Sequence, residues 1–491
     1  MKVGTGSLRQ IAQGTVVLTA FQFASKALLA VFFILLGNRS LFGEEPYGRL
    51  EGLLALVNLF LLFSDFGLET YTTRQLSRER DSSGEWLPPQ VSTKALLTGT
   101  ASFLLLAWLF IVEGVFKSEW DYPSWCACVV LLAALSAQSY LRGITRAHSR
   151  MEVEGMVGVV EKSATLALGL AALFILGGLS AVVWAFAIGS LAGAAYALVQ
   201  TRAMEQGLRL AWPLDKRVLS RSFFFALSAI CVSLFFNMDR VLLGLWSDLA
   251  VAPYARGLRI VWAILLFPQM MSIAAYPVLS RLKDLDVERL HVARTSLRAL
   301  LFLGFPLAIG GCVVAGGLMD LLFRSAAPGS PEWLLDQPLG WDSLLGNTTE
   351  SACLRVLLLG LPFTCGNYLF GPALNALDRE AWNLKASALA MVVNFGLNLL
   401  LIPFLGPVGS ALATTLTQAL YCLSMYRYLR QMEGSWLVKN QLVILLAVSL
   451  GMGALLVPLS SLHVMLRILI GGLVYGAATG VLGLWPVRRL F

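Results

Sequence analysis

Long apolar runs alternate along the chain with short polar or charged stretches. The runs fall at about 11–36, 48–73, 94–113, 123–145, 155–177, 179–201, 219–246, 253–278, 296–323, 353–376, 383–404, 407–429, 438–459 and 464–486. Each is close to the roughly 20 helical residues needed to cross a hydrocarbon layer about 30 Å thick. The pattern therefore predicts an all-α polytopic membrane protein with about fourteen transmembrane helices. The first run leads through Gly37-Asn38-Arg39 into an acidic turn with no small-residue cleavage site, so it is expected to stay in the mature protein.

Composition supports the same class. Of 491 residues, 57% are apolar and 13% charged, against roughly a quarter charged in soluble domains. Six of the seven cysteines (Cys126, Cys128, Cys231, Cys312, Cys365, Cys422) fall in apolar stretches, as small buried hydrophobes do. The histidines, His148, His291 and His463, are far apart and outline neither a metal site nor a triad. No cofactor, metal or nucleic-acid partner is expected, and no enzymatic activity.

The net charge of +8 reports topology first, because basic residues concentrate on the cytoplasmic side of membrane proteins. With the N-terminus inside, most Lys and Arg fall at inner helix ends, in clusters such as Arg142/Arg146/Arg150, Arg281/Lys283/Arg289/Arg294/Arg298 and Arg427/Arg430/Lys439. Both termini are then cytoplasmic. The long outer connection, about 325–351, carries Glu332, Asp336, Asp342, Glu350 and the sequon Asn347-Thr348-Thr349. It reads as a solvated connector between two helix bundles, or as a periplasmic lid or a small catalytic loop.

An internal repeat is visible. Pro46-Tyr47-Gly48-Arg49 returns as Pro253-Tyr254-Ala255-Arg256, and Leu76-Ser77-Arg78 returns as Leu279-Ser280-Arg281. A shift of six helices preserves orientation, so the repeats are parallel, as in some transporters. The expected division is a six-helix lobe at 1–210, a second at 211–435 and an additional helix pair at 436–491, with substrate bound between the lobes.

Charges inside spans are site candidates, since each costs about 2.5–3.5 kcal/mol at the bilayer centre even on a lenient scale. Lys26 is about 15 Å from the outer end of the first helix. Arg240, Arg256 and Arg259 lie in the outer half of the seventh and eighth, and Arg49 sits at the mouth of the second. Together they read as a cationic cavity for an anionic head group, or as internal ion pairs for which Asp239 and Glu51 are available. Lys162, beside Glu161, reads as structural. Asp65 and Glu69, four apart, are candidates for ion coupling or for a salt-bridged helix end. Asn367 and Asn375 are candidates for sugar contacts, while Asn394 and Asn398 suit helix packing.

The run Leu62-Phe63-Ser64-Asp65-Phe66-Gly67-Leu68, the run Asn237-Met238-Asp239-Arg240-Val241-Leu242-Leu243-Gly244, and Tyr276-Pro277-Val278-Leu279-Ser280 resemble polysaccharide exporters of the Wzx type. So do Ala373-Leu374-Asn375-Ala376-Leu377 and Gly406-Pro407-Val408-Gly409-Ser410. The resemblance implies the multidrug/oligosaccharidyl-lipid/polysaccharide exporter superfamily, whose flippases carry polyprenyl-diphosphate-linked glycans across the bacterial cytoplasmic (inner) membrane by alternating access. Fourteen helices are shared with lipid II flippases, in which the terminal pair is associated with a lipid-tail groove. Lys26 lacks the acidic neighbour usual there, which directs the expectation to O-antigen, capsule or exopolysaccharide units. Membrane lipids and polysaccharide polymerase or assembly enzymes are the implied partners. A multidrug cation antiporter and a membrane glycosyl-polymerase or ligase stand as alternatives. The deep charges are mainly basic and the outer loops small, which favours neither.

Overall fold

A backbone surrounded by hydrocarbon has no water to bond, so apolar runs of this length satisfy their N–H and C=O groups internally as helices. The computed structural model describes residues 5–78, 83–117, 120–148, 150–205, 207–211, 216–281, 286–323, 348–436 and 439–484. Among them there are helices and no strands. The connector expected at 325–351 falls outside the described residues up to 347, with its acids Glu332, Asp336 and Asp342 and the Asn347 of its sequon.

Two compact units are present, the first formed by Met1–Leu36 and Leu41–Val241, the second by Gly37–Ser40 and Leu242–Phe491. The first contains α1 (Thr5–Gly37, except its last residue), α2 (Glu44–Asp65), α3 (Leu68–Arg78), α4 (Ser83–Leu109), α5 (Tyr122–Ala147), α6 (Met151–Ala171), α7 (Leu179–Arg202) and most of α8 (Lys216–Trp246). Short π-helical turns, Phe110–Phe116 and Ala172–Leu176, extend α4 and α6. The second unit contains α9 (Asp248–Ile264), α10 (Leu266–Arg281), α11 (Asp286–Phe323), α12 (Thr349–Leu359), α13 (Leu361–Ala376), α14 (Glu380–Glu433), α15 (Lys439–Leu456) and α16 (Val464–Val481).

By length and apolarity, nine described helices can cross a membrane, or up to eleven if each of two bent pairs is one span. The expected fourteen is not reached by that count. One reason is α14, a continuous element over what reads in the sequence as two crossings. It reverses at Gly406, whose φ of 53° and ψ of −132° suit glycine alone. Ser410 Oγ then donates to Asn398 Oδ1 at 2.8 Å, whereas twelve residues of straight helix would separate them by about 18 Å.

Small residues let the helices approach closely, as expected where lipid supplies no hydrophobic drive. In the first unit α1 rests on α6: a methyl at Gly169 would lie 2.1 Å from the Phe32 ring, and one at Gly155 would meet Phe21. Leu68, Leu76, Leu87, Tyr140, Leu141, Ile144, Val157 and Ala197 form a core there. In the second unit Leu445, Met452, Leu456, Tyr475 and Leu484 pack α15 and α16 on α11. A methyl at Gly453 would meet Ile309, and one at Gly310 would meet Met452.

The repeated strings occupy matching environments. Tyr47 and Tyr254 are both fully buried, as are Leu76 and Leu279. In each copy the span that follows is broken. Phe66 and Gly67, with φ of 44° and 74°, separate α2 from α3, and α9 meets α10 at Leu265 with a 42° bend.

Candidate functional site

Seen unit by unit, the intramembrane cations fall into buried pairs and partly exposed groups. In the first unit Arg240, near the end of α8, donates through Nη1 to Glu51 Oε2 at 3.0 Å and through Nη2 to Asn237 Oδ1 at 2.8 Å. Tyr47 O–H donates to Glu51 Oε1 at 3.1 Å, so both carboxylate oxygens are engaged. Glu51 is fully buried and Arg240 nearly so, a geometry that makes a buried ion pair tolerable. Asp239 is also buried. Arg49, two residues before Glu51, lies 3.9 Å from Glu113 in the π-helical turn after α4, and Lys117 reaches the same carboxylate at 3.4 Å. Lys26 is only partly buried, on the α1 face that also carries Phe33, seven residues on.

In the second unit Arg256 is fully buried in α9. Its Nε donates to the Gly37 carbonyl at 2.8 Å and its Nη1 to Glu350 Oε1. Arg39 Nη2 meets that same oxygen at 3.1 Å, and the Arg39 N–H donates to the Phe323 carbonyl. Two guanidinium groups thus converge on one buried carboxylate at the start of α12. Arg259, three residues beyond Arg256, is partly exposed, with its guanidinium carbon 5.0 Å from the Trp262 ring centroid, within cation–π range. Sequence reasoning placed Arg39 and Glu350 in outer loops and gave them no role; nothing local in the sequence joins residues 39, 256 and 350.

Asp65 and Glu69 take part in a network of acids and bases in the first unit. Lys94 Nζ bonds Asp65 Oδ1 and the Ser64 carbonyl, each at 3.0 Å. Arg146 pairs with Glu69 and with Glu154, and Arg142 also reaches Glu154. Three carboxylates face three cations around the break between α2 and α3. A second buried carboxylate, Glu161, pairs with Lys162 and accepts from Ser190 Oγ at 3.3 Å. Gly193 makes room there for Gln138, whose Nε2 is buried with no hydrogen-bond partner among the described residues.

The candidate sugar-binding asparagines lie between α13 and the two arms of α14. Asn367 Nδ2 donates to Gln418 Oε1 at 2.6 Å, and Asn375 Oδ1 accepts from Asn383, which in turn accepts from Tyr421 O–H at 2.8 Å. Asn394 and Asn398 bond each other and Ser410 within α14.

The helices and their buried charges define a polytopic membrane protein, helical among the described residues. The chain belongs to the polysaccharide biosynthesis protein family, whose sequence pattern matches residues 11–283, more than half of its length. It is 22% identical over 433 residues to an uncharacterised membrane protein of Methanocaldococcus jannaschii, covering 83% of this chain and 95% of that one. It is 27% identical over 188 residues to the probable flippase AglR of Haloferax volcanii, covering 37% of this chain and 35% of AglR. The fold is similar to that of the lipid II flippase MurJ in an inward closed conformation, with a TM-score of 0.75, 14% identity, and 95% of this chain and 98% of that chain covered. The chain thus carries the fold of the multidrug/oligosaccharidyl-lipid/polysaccharide exporter superfamily.

Proposed function

We propose that the protein flips a polyprenyl-diphosphate-linked oligosaccharide, a repeat unit of O-antigen, capsule or exopolysaccharide, across the bacterial cytoplasmic membrane by alternating access. The observation that supports this reading is the match of residues 11–283 to the polysaccharide biosynthesis protein family, on a fold similar to that of a lipid II flippase. A diphosphate is an anion that guanidinium and ammonium groups bind without covalent chemistry. Lys26 and Arg259 then contact the phosphates, and Arg49, Arg240 and Arg256 add positive potential while holding their helices. Asn367 and Asn375 face the glycan. The reading keeps both termini in the cytoplasm and retains the two six-helix lobes with a terminal pair.

The test is depletion of the protein in its host with quantification of extracted lipid-linked oligosaccharide and of surface polymer. The expected result is accumulation of one lipid-linked unit and loss of polymer. Complementation with a Lys26→Gln/Arg259→Gln double variant is expected to fail at normal membrane abundance. Full complementation by that variant removes the cationic-contact reading. Unchanged lipid pools with greater retention of a cationic dye would instead favour a drug exporter.

A further inference from the structure

The chain leaving α7 is strapped along the start of α4. Glu205 is buried, and its Oε2 accepts from Ser83 Oγ, on the first residue of α4, at 2.8 Å. Two residues on, Gly207 lies so close that a methyl there would stand 3.3 Å from Leu87 Cδ2. Leu208 packs on the core that holds Leu87, and the Ala211 N–H donates to Ser92 Oγ at 2.8 Å. Residues 203–205 and 207–211 thus follow α4 over roughly its first three turns.

The same carboxylate reaches α5. His148 caps the C-terminal end of that helix, and its Nε2 lies 3.1 Å from Glu205 Oε1. The other ring nitrogen, Nδ1, lies 3.0 Å from the Ile144 carbonyl in the last turn. An ionised carboxylate and a carbonyl can only accept, so each calls for an N–H from the ring. Neutral imidazole has one N–H and imidazolium has two. Either neutral tautomer therefore turns a lone pair toward an oxygen, and a bound proton removes that conflict. The negative end of the α5 dipole favours the cation, and the positive end of α4 favours the carboxylate. Other charges around the ring are engaged elsewhere or exposed. Arg146 pairs with Glu69 and Glu154, and Arg150 with Glu152, while Glu85 on α4, Arg202 at the end of α7 and Arg209 on the strap are exposed.

Histidine is the side chain that changes charge between about pH 5 and 8. We propose that His148 and Glu205 form a proton-operated clasp that fastens the chain leaving α7 to the ends of α4 and α5. With the ring protonated, both of its bonds are made. As the pH rises one of them is lost, and the strap loosens from α5. With the expected topology the proton is drawn from the cytoplasm, at the connection that leads from α7 into α8. The clasp lies wholly in the first unit and does not rest on the flippase reading.

The full-length protein in lipid nanodiscs would be followed by hydrogen exchange and mass spectrometry at about pH 5.5 and about pH 8.5, with rates corrected for the intrinsic effect of pH. Protection of peptides spanning residues 203–211 is expected to fall about tenfold or more from the acid to the alkaline condition, as one charged hydrogen bond is lost, while peptides inside α7 keep theirs. His148→Gln and Glu205→Gln are each expected to show low protection at both pH values, with the dependence gone. His291→Gln, at an exposed position of α11, is expected to keep it. Equal protection of the parent at the two pH values would overturn the proposal, as would a dependence that survives in either His148→Gln or Glu205→Gln. If one of those two variants does not fold, the other and the profile of the parent decide.

Discussion

Glu51 illustrates how one residue carries a cost that the sequence cannot price. It is fully buried, and its two oxygens are divided between Arg240 and Tyr47. Removing one member of a buried pair typically costs about 3–5 kcal/mol, because the remaining charge loses its compensation. Glu51→Gln is therefore expected to lower thermal stability in detergent by about that amount, measured as a fall in melting temperature and folded yield. A Glu51→Leu/Arg240→Met double variant is expected to recover much of the loss. If Glu51→Gln melts like the parent, the pair contributes nothing net. Glu51 was legible as an available partner for the intramembrane cations, since it lies on the same span as the repeated Pro46-Tyr47-Gly48-Arg49 string, two residues beyond it. The convergence of Arg39 and Arg256 on Glu350 was not, because it joins three separate segments: the connection after α1, α9 and the start of α12.

At the scale of elements, the apolar runs and their polar boundaries locate the helices, but breaks within them depend on backbone geometry. The αL residues at Phe66 and Gly67 divide a run that reads as continuous, and the reversal at Gly406 is signalled only by a Gly-Pro pair. Helix contact is decided by small residues. The face of α6 that holds Gly155 and Gly169 receives Phe21 and Phe32 of α1. Gly169→Ala is expected to force the Phe32 ring aside and destabilise the protein by about 1–3 kcal/mol, seen as a lower melting temperature. Adding Phe32→Leu is expected to restore part of it. An unchanged melting temperature for Gly169→Ala would show that α1 does not depend on this contact.

For the whole molecule, the distribution of Lys and Arg makes a topological prediction. Reporter fusions active only in the cytoplasm are expected to be active at both ends and inactive when inserted at residue 340, in the expected outer connector. Activity at residue 340 would invert the assignment. The repeat gives the molecule two halves that use the same device, a buried tyrosine and an arginine beside it at the head of a broken span. The ion pairs have diverged. Arg49 approaches Glu113 of the π-helical turn, while Arg256 meets Glu350 of a different helix.

Membrane class, helical architecture, the internal repeat and the set of intramembrane cations were all readable from the linear chain. Each depends on local composition, on spacing or on the large cost of placing polar groups in hydrocarbon. Which carboxylates meet Arg240 and Arg256 was decided only by tertiary structure. Pairing needs a carboxylate within about 4 Å, and the partners of Arg240 and Arg256 come from distant segments brought together by packing.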